Sequence, residues 1–352
     1  MKENKKVVAE KFCLAGEITK ISPYGKGHIN VTSLVKTGNQ NYILQKINHF
    51  VFSSPEILME NIERVTTHLR SKGIETLHLV PLKEGGNLLF QDGEYYRVYD
   101  FIEHTVTYQT AENDRIFRNV ARAFGDFQKS LSDFDASLLH ETIPHFHDTP
   151  KRFRDFEKAL TTDACGRAKN CRPEIEFVLS REGTLGMVVQ GLSDGTLPYR
   201  VTHNDTKLNN ILMDETTGEA RAVIDLDTVM PGSLLYDFGD SIRFGASTAA
   251  EDEPDSEKVH LSLPAFQTYS EGYLEALRDN ITEAEKELLP YSAYLMMIEC
   301  GMRFLADYLS GDVYFATAYP EHNLVRARTQ FRLAAETEQK RNTMWKMIKN
   351  IG

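Results

Sequence analysis

The stretch VTHNDTKLNNILMD, residues 201–214, crowds a histidine, an aspartate, a lysine and three asparagines into the eight residues His203 to Asn210. Polar groups at that density are destabilising when buried without partners, because each loses its water and gains nothing in return. The segment is therefore either a solvated loop or the lining of a site that uses those groups. Short apolar runs flank it, and together with AVIDLD at 222–227 they read as brief β-like runs around tight turns.

A phosphoryl-transfer site needs few parts: a carboxylate to orient and deprotonate the attacking hydroxyl, cations to screen the phosphates, and metal ligands at fixed separation. In kinase-like enzymes the catalytic loop runs H-x-D-x-x-x-x-N, and His203, Asp205 and Asn210 have that spacing. Lys207 lies two residues past Asp205, where a cation can reach a γ-phosphate. A second acidic group is expected on a strand shortly downstream, and Asp225 in AVIDLD supplies it. Each element alone is weak, and a capped turn explains HND equally well. Four in register point to a phosphotransferase. His203 is expected to bond loop backbone, and Asp237 and Asp240 in YDFGD to brace or cap.

The rest of the chain fits around this loop. EITKIS, HINVTSLVK and NYILQKI, within residues 17–47, read as strands separated by the turn signals PYGKG and TGNQ. Ser54–Pro55 opens a helix whose stripe is Leu58, Ile62, Val65 and Leu69. Two more strands are expected at 87–90 and 94–102. From 112–134 the apolar spacing turns helical, Thr149–Pro150 starts another helix, and 260–348 reads as mostly helix. The fold class is α+β: a small N-terminal antiparallel sheet lobe with one helix, residues 1–102, and a larger, mostly helical lobe, 103–352, with a hinge near 99–106.

The first lobe offers further parts. PYGKGHIN, residues 23–30, lies between two strands, and Gly25 and Gly27 would let backbone approach a phosphate closely. An ordinary hairpin turn predicts the same glycines. The stretch is no Rossmann fingerprint, since Asn30 stands where the third glycine would be, and no Walker A sequence. Lys46 is on the following strand, the usual place for a lysine that holds the α/β-phosphates, unless it is a plain solvent-facing strand lysine. Its glutamate partner is expected from helix 55–70, as Glu56, Glu60 or Glu63.

The 352 residues carry a formal net charge of −11, which argues against nucleic-acid binding. The most apolar long stretch, 293–309, contains Glu299, Arg303 and Asp307 and makes a poor membrane span. No signal-peptide pattern opens the chain. Cys13, Cys165, Cys171 and Cys300 form no CxxC pair, so reduced thiols in a cytoplasm are expected. A zinc site at Cys165 and Cys171 fits no familiar spacing. No coiled-coil pattern is evident, which leaves a monomer as the default.

HNDTKLNN, IDLDTVMPG, YDFGDSIRFGA, YGKGHIN and LHETIPHFHDTPKRF together resemble the N-acetylhexosamine 1-kinases, within the aminoglycoside-phosphotransferase-like kinases, over about residues 15–345. That resemblance implies a bilobal protein-kinase-like fold, ATP with Mg²⁺, and transfer of the γ-phosphate to the anomeric hydroxyl of N-acetylglucosamine or N-acetylgalactosamine. It implies Asp205 as base, Lys207 near the transferred phosphate, and Asn210 and Asp225 as magnesium ligands. His28, Thr228, Arg243, Arg303 and Tyr314 would reach the sugar, and hinge backbone at Asp100 and Ile102 would hold adenine. On spacing alone, Glu299, Arg303 and Asp307 share one strip of a helix, so Arg303 either enters a cleft or pairs with those neighbours at the surface. The run at 251–258 reads as a solvated loop. Rival readings are a kinase for an aminoglycoside, an amino alcohol or another sugar, and a binding module without turnover; a protein kinase would need an A-P-E segment after Asp225.

Overall fold

The protein is described by a computed structural model covering residues 5–25, 29–111 and 113–351. Gly27 and His28 lie outside the described residues.

The N-terminal part is a five-stranded antiparallel sheet. Its strands are β1 (Ile18–Pro23), β2 (Val31–Thr37), β3 (Asn41–Ile47), β4 (Leu89–Gln91) and β5 (Glu94–Asp100), in the order β1-β2-β3-β5-β4. Alternation along β3 and β5 gives the sheet two apolar faces. Tyr42, Leu44, Tyr96 and Val98 pack with Val8 and Phe12 at the short helix α1 (Lys5–Ala9), an element the sequence pattern did not reveal. Ile43, Ile47 and Tyr99 look the other way, towards α2 (Pro55–Ser71). Pro55 occupies the first turn of α2, but Ser54 caps it by position only, without a side-chain hydrogen bond.

The expected stripe of α2, Leu58, Ile62, Val65 and Leu69, is fully buried and faces two ways at once. On one side it meets Ile47 and Tyr99 of the sheet; on the other, Phe127, Leu131, Leu139, Val201, Leu226 and Val229 of the C-terminal part. Asn61 on the same helix donates to the carbonyls of His140 and Val229, at 2.8 and 2.9 Å. Helix α2 is thus wedged between the two halves.

The C-terminal part begins with β6 (Thr105–Val106) and α3 (Asp114–Ser130), which Asn113 caps by accepting from the Ile116 N–H at 3.0 Å. Helices α4 (Thr149–Thr162), α5 (Arg172–Leu179) and α6 (Met187–Asp194) follow. Four short strands then carry the polar loops: β7 (Arg200–Thr202), β8 (Ile211–Asp214), β9 (Ala220–Val223) and β10 (Met230–Gly232). β10 pairs with β7, and β8 lies between β6 and β9. The chain closes with α7 (Leu234–Gly245), α8 (Leu263–Leu277), α9 (Glu283–Ser310) and α10 (His322–Lys349).

Helix α9 is the centre of this half. A capping box of Thr282 and Glu285 starts it, and α4, α7 and α10 pack around it. Its apolar strip, Leu295, Ile298, Met302, Leu305 and Leu309, is buried, and so are Glu299 and Asp307, which counts against the surface alternative for that polar strip. The crossing of α7 on α9 is close enough to require a glycine. A Cβ added at Gly239 would stand 2.4 Å from the Ser292 carbonyl oxygen, which is backbone and cannot give way. Gly239→Ala is expected to destabilise the fold by roughly 1–3 kcal/mol, read as a fall in Tm by calorimetry, as over-packed cores do. An unchanged Tm would mean that the two helices are not seated this tightly.

Candidate active site

The loop from His203 to Lys207 leaves β7 and is held from below by one buried side chain. Asp237, in the first turn of α7, accepts the N–H groups of His203 at 2.9 Å and Asn204 at 2.7 Å, and the Gln128 amide at 2.8 Å. The Thr206 hydroxyl donates to the Asp237 carbonyl at 2.7 Å. His203 bonds the Ile224 carbonyl through Nε2 at 2.9 Å, tying the loop to the end of β9. Asn204 takes a left-handed conformation, φ 63°, which asparagine tolerates better than most residues.

Asp205 is partly exposed above this base. Its Oδ1 lies 2.7 Å from Lys207 Nζ, and the Asn210 amide donates to its Oδ2 at 3.1 Å and its carbonyl at 2.8 Å. Burial alone would pull Lys207 down, but Asp205 and Asp240 outweigh it and keep the amine cationic. Asp225 is not on a strand, as expected, but just beyond β9, in a left-handed turn with φ 60°. Its side chain reaches solvent, yet partial desolvation by the surrounding protein and the charges of Asp227 and Asp205 push its carboxyl up to about 6. It has no hydrogen bond among the described residues, and neither does the Asn210 amide oxygen.

These donors suit magnesium. The ion takes hard oxygen ligands, usually one or two carboxylates plus substrate phosphates, rather than a closed protein cage. Among the described residues no cluster of three His, Cys, Asp or Glu side chains could hold a metal alone. One crowded carboxylate and one free amide oxygen match a cation delivered with a nucleotide.

The N-terminal contribution differs from expectation. Lys46 pairs with Glu94 on β5 at 3.2 Å, not with a glutamate of α2. Glu60 instead bonds Arg64 and His140, and Glu63 bonds Asn87. The register pairs Lys46 with Tyr96, on the sheet face turned to α1, whereas Gln45 pairs with Arg97 on the face turned to α2. Arg97 is 1% exposed and reaches across to Asp227 at 2.6 Å. Neither residue was singled out from sequence, although both stand in quoted motifs or strands.

Just past β5, Phe101 meets Tyr24 edge to face at 5.7 Å, beside Gly25, which has φ 74°. The Asp100 carboxylate is engaged by Gln40 and His78, and the Ile102 carbonyl accepts from Thr105 at 2.8 Å.

The side that would meet an acceptor is rich in arginine. Arg243 is buried and bonded to Asp240 and Glu251, both at 2.8 Å, so the 251–258 run is not simply solvated. Arg303 pairs with neither helix neighbour. Glu299 turns to His147 at 2.7 Å and to Thr149, while Asp307 accepts three successive N–H groups, of Val313, Tyr314 and Phe315. His147 and its charge-assisted bond keep Glu299 ionised against the rise that burial would cause. The Arg303 guanidinium lies 5.5–5.9 Å from the rings of Phe146, Tyr314 and Phe315, without a hydrogen bond or ion pair among the described residues. Tyr314 stays 64% exposed. The Thr228 hydroxyl is spent on the His203 carbonyl at 2.6 Å. Beside Asn204 a cavity of about 170 Å³ is walled by Phe146, His147, Tyr199 and Tyr236.

The sequence pattern of the phosphotransferase enzyme family matches residues 20–273, more than half of the chain. The chain belongs to that family. Solved structures of similar fold include a microcompartment-associated aminopropanol kinase, with TM-score 0.67 and 16% identity over 97% of both chains. A spectinomycin phosphotransferase in complex with ADP and spectinomycin matches with TM-score 0.57 and 14% identity, over 92% of this chain and 94% of that one. Choline kinase from Cryptosporidium parvum Iowa II matches at 0.58 and 15%, over 94% and 91%. Membership makes the chain a small-molecule kinase that uses ATP and phosphorylates a hydroxyl. None of its described helices is long and apolar enough to cross a membrane.

The charge crowding at Asp225 has a measurable sign. Its folded pKa, about 6, lies above the unfolded value near 4, so metal-free protein loses stability as pH rises from about 4 through 6. Relative to wild type without divalent metal, Asp225→Asn should therefore be more stable at pH 8 than at pH 5. Thermal melts at the two pH values check this, and an equal difference at both would contradict the crowding.

Proposed function

We propose that this kinase is an N-acetylhexosamine 1-kinase, acting as a cytoplasmic monomer on ATP and N-acetylglucosamine or N-acetylgalactosamine. The observation that carries the acceptor class is Arg303: a guanidinium walled by three aromatic rings, with no protein carboxylate bonded to it. Arg152 is its neighbour, and burial together with the Arg303 charge lowers the Arg152 pKa. Two adjacent cations repel an ammonium group, which is what aminopropanol, choline and aminoglycosides would bring. They offer donors to a neutral, oxygen-rich sugar, while aromatic walls suit the apolar face of its ring.

In this reading Asp205 accepts the proton of the anomeric hydroxyl as the oxygen attacks the γ-phosphorus, and ADP departs with the bond to its β-phosphate oxygen. A hemiacetal hydroxyl is more acidic than an ordinary alcohol, so a carboxylate base suffices once positioned. Lys207, held cationic within 2.7 Å of Asp205, screens charge on the phosphoryl group in flight. Asn210 and Asp225 would hold magnesium, which screens the phosphate oxygens when bound. Gly25, with Gly27 beyond it, would bring backbone to the phosphates. Backbone at Asp100 and Ile102 would face adenine, with the hinge at 99–106 between lobes 1–102 and 103–352. Lys46 would join the phosphate site only by leaving Glu94. His28, Thr228, Arg243 and Tyr314 complete the sugar side: Thr228 and Arg243 act by fixing loop and helix, and Tyr314 by presenting its ring.

Phosphorus NMR with ATP, magnesium and each sugar should show a sugar 1-phosphate signal, reduced by about 10²–10⁴ in rate for Asp205→Asn. Untouched ATP with both sugars, but turnover with an amino alcohol or aminoglycoside, would replace the acceptor assignment. Arg303→Met should raise the KM for the sugar at least about tenfold while the KM for ATP stays within about twofold. Equal changes in both would place Arg303 outside the acceptor site.

A further inference from the structure

The Arg97–Asp227 pair joins the sheet to the turn that carries Asp225. Both side chains are almost fully buried, at 1% and 3% exposure. Arg97 is held from its own sheet, where Nε and Nη2 donate to Gln45 Oε1 at 3.0 and 2.8 Å. The second oxygen of Asp227 accepts from the Asn30 amide at 2.6 Å, and Asn30 in turn accepts the Asn48 N–H at 3.0 Å. Asn30 ends the PYGKGHIN stretch, Gln45 is on β3 and Arg97 on β5, so three separate pieces of the N-terminal half converge on one carboxylate. Asp227 stands two residues beyond Asp225, across a tight turn pinned by buried Leu226. Fixing Asp227 therefore fixes where the Asp225 carboxylate points. Arg97 also feels the Asp225 charge directly.

We propose that Arg97 is a positioning residue that couples the glycine turn and the sheet to Asp225, through Asp227. Asp227 is the anchor: its Oδ2 accepts from Asn30, and its Oδ1, which has no hydrogen bond among the described residues, faces Arg97 Nη2 at 2.6 Å as an ion pair. The inference rests on the reading of Asp225 as the metal-binding carboxylate, but not on the identity of the acceptor. Its consequence is that metal-dependent nucleotide binding should fail when the pair is removed, even where the fold survives. Fold and function can be separated because an apolar pair of similar volume often replaces a buried ion pair without loss of stability, while a single removal leaves an uncompensated charge.

The experiment titrates Mn²⁺ into protein plus a fluorescent N-methylanthraniloyl ADP, for wild type, R97M, D227L, R97M/D227L and the amide pair R97Q/D227N, with melts of each. The single variants should lose Tm and a double variant should regain most of it. The double variants should still need at least about tenfold more Mn²⁺ for half-saturation, with nucleotide binding in EDTA within about twofold of wild type. A folded double variant with the Mn²⁺ dependence of wild type would overturn the proposal and leave the pair merely cohesive. Failure of both double variants to fold would do the same, in favour of a purely structural role. Wild-type protein that binds no nucleotide with Mn²⁺ would overturn this inference together with the metal assignment. Normal Mn²⁺-dependent binding without phosphorylation of either sugar would remove only the acceptor reading.

Discussion

The whole site hangs on the Asp237 carboxylate. It is buried at the start of α7 and accepts two consecutive backbone N–H groups of the catalytic loop as well as the Gln128 amide of α3. A charged acceptor with three donors near a helix N-terminus is among the stronger polar arrangements available in a core. It leaves the 203–204 backbone little freedom, forces Asn204 into its left-handed conformation, and projects Asp205 outward. The helices that carry the Gln128 donor and the Asp237 acceptor are themselves set by close packing, α3 on α8 and α7 on α9. Core packing is thereby transmitted to the position of one carboxylate oxygen at the surface.

Pairing within the protein separates the charged groups that build the site from those with capacity to bind something else. Arg97 is committed to Asp227, Arg243 to Asp240 and Glu251, Glu299 to His147, and Asp307 to the backbone of the 313–315 loop. Each such group holds another element in place and has little left to offer a ligand. Asp225, the Asn210 amide oxygen and Arg303 are the contrasting cases, without such a commitment among the described residues.

What was legible in the sequence was local. His203, Asp205, Lys207 and Asn210 sit within one loop, so spacing alone sets their relation, and the apolar stripes of α2 and α9 followed from helical period. Faces and partners of strands were not legible. Gln45 and Lys46 differ by one position, and one position moves a side chain to the opposite face of the sheet. The lysine attracted notice by its type, yet the register turned glutamine and the cross-strand Arg97 towards Asp227. In the same way, Glu299 and Asp307 have the spacing of a surface strip, and only tertiary packing reveals His147 and the 313–315 backbone as their partners. Charge on a helix predicts exposure until a buried counterpart, distant in sequence, is brought to it.

The placement of α2 also limits how the two halves can move. Its stripe is shared between the sheet and residues of α3, β7 and the 226–229 turn, and Asn61 bonds two carbonyls of the C-terminal part. An interface that is apolar and continuous resists opening, unlike the small polar contacts between freely moving domains. Separating sheet from helices as rigid bodies would expose that stripe and strip Asp227 of Arg97 at the same time, leaving two uncompensated charges. Neither penalty arises for a local displacement of the exposed Tyr314 loop beside Arg303. The wedge and its ion pair thereby hold the sheet and the helical part together as one packed unit.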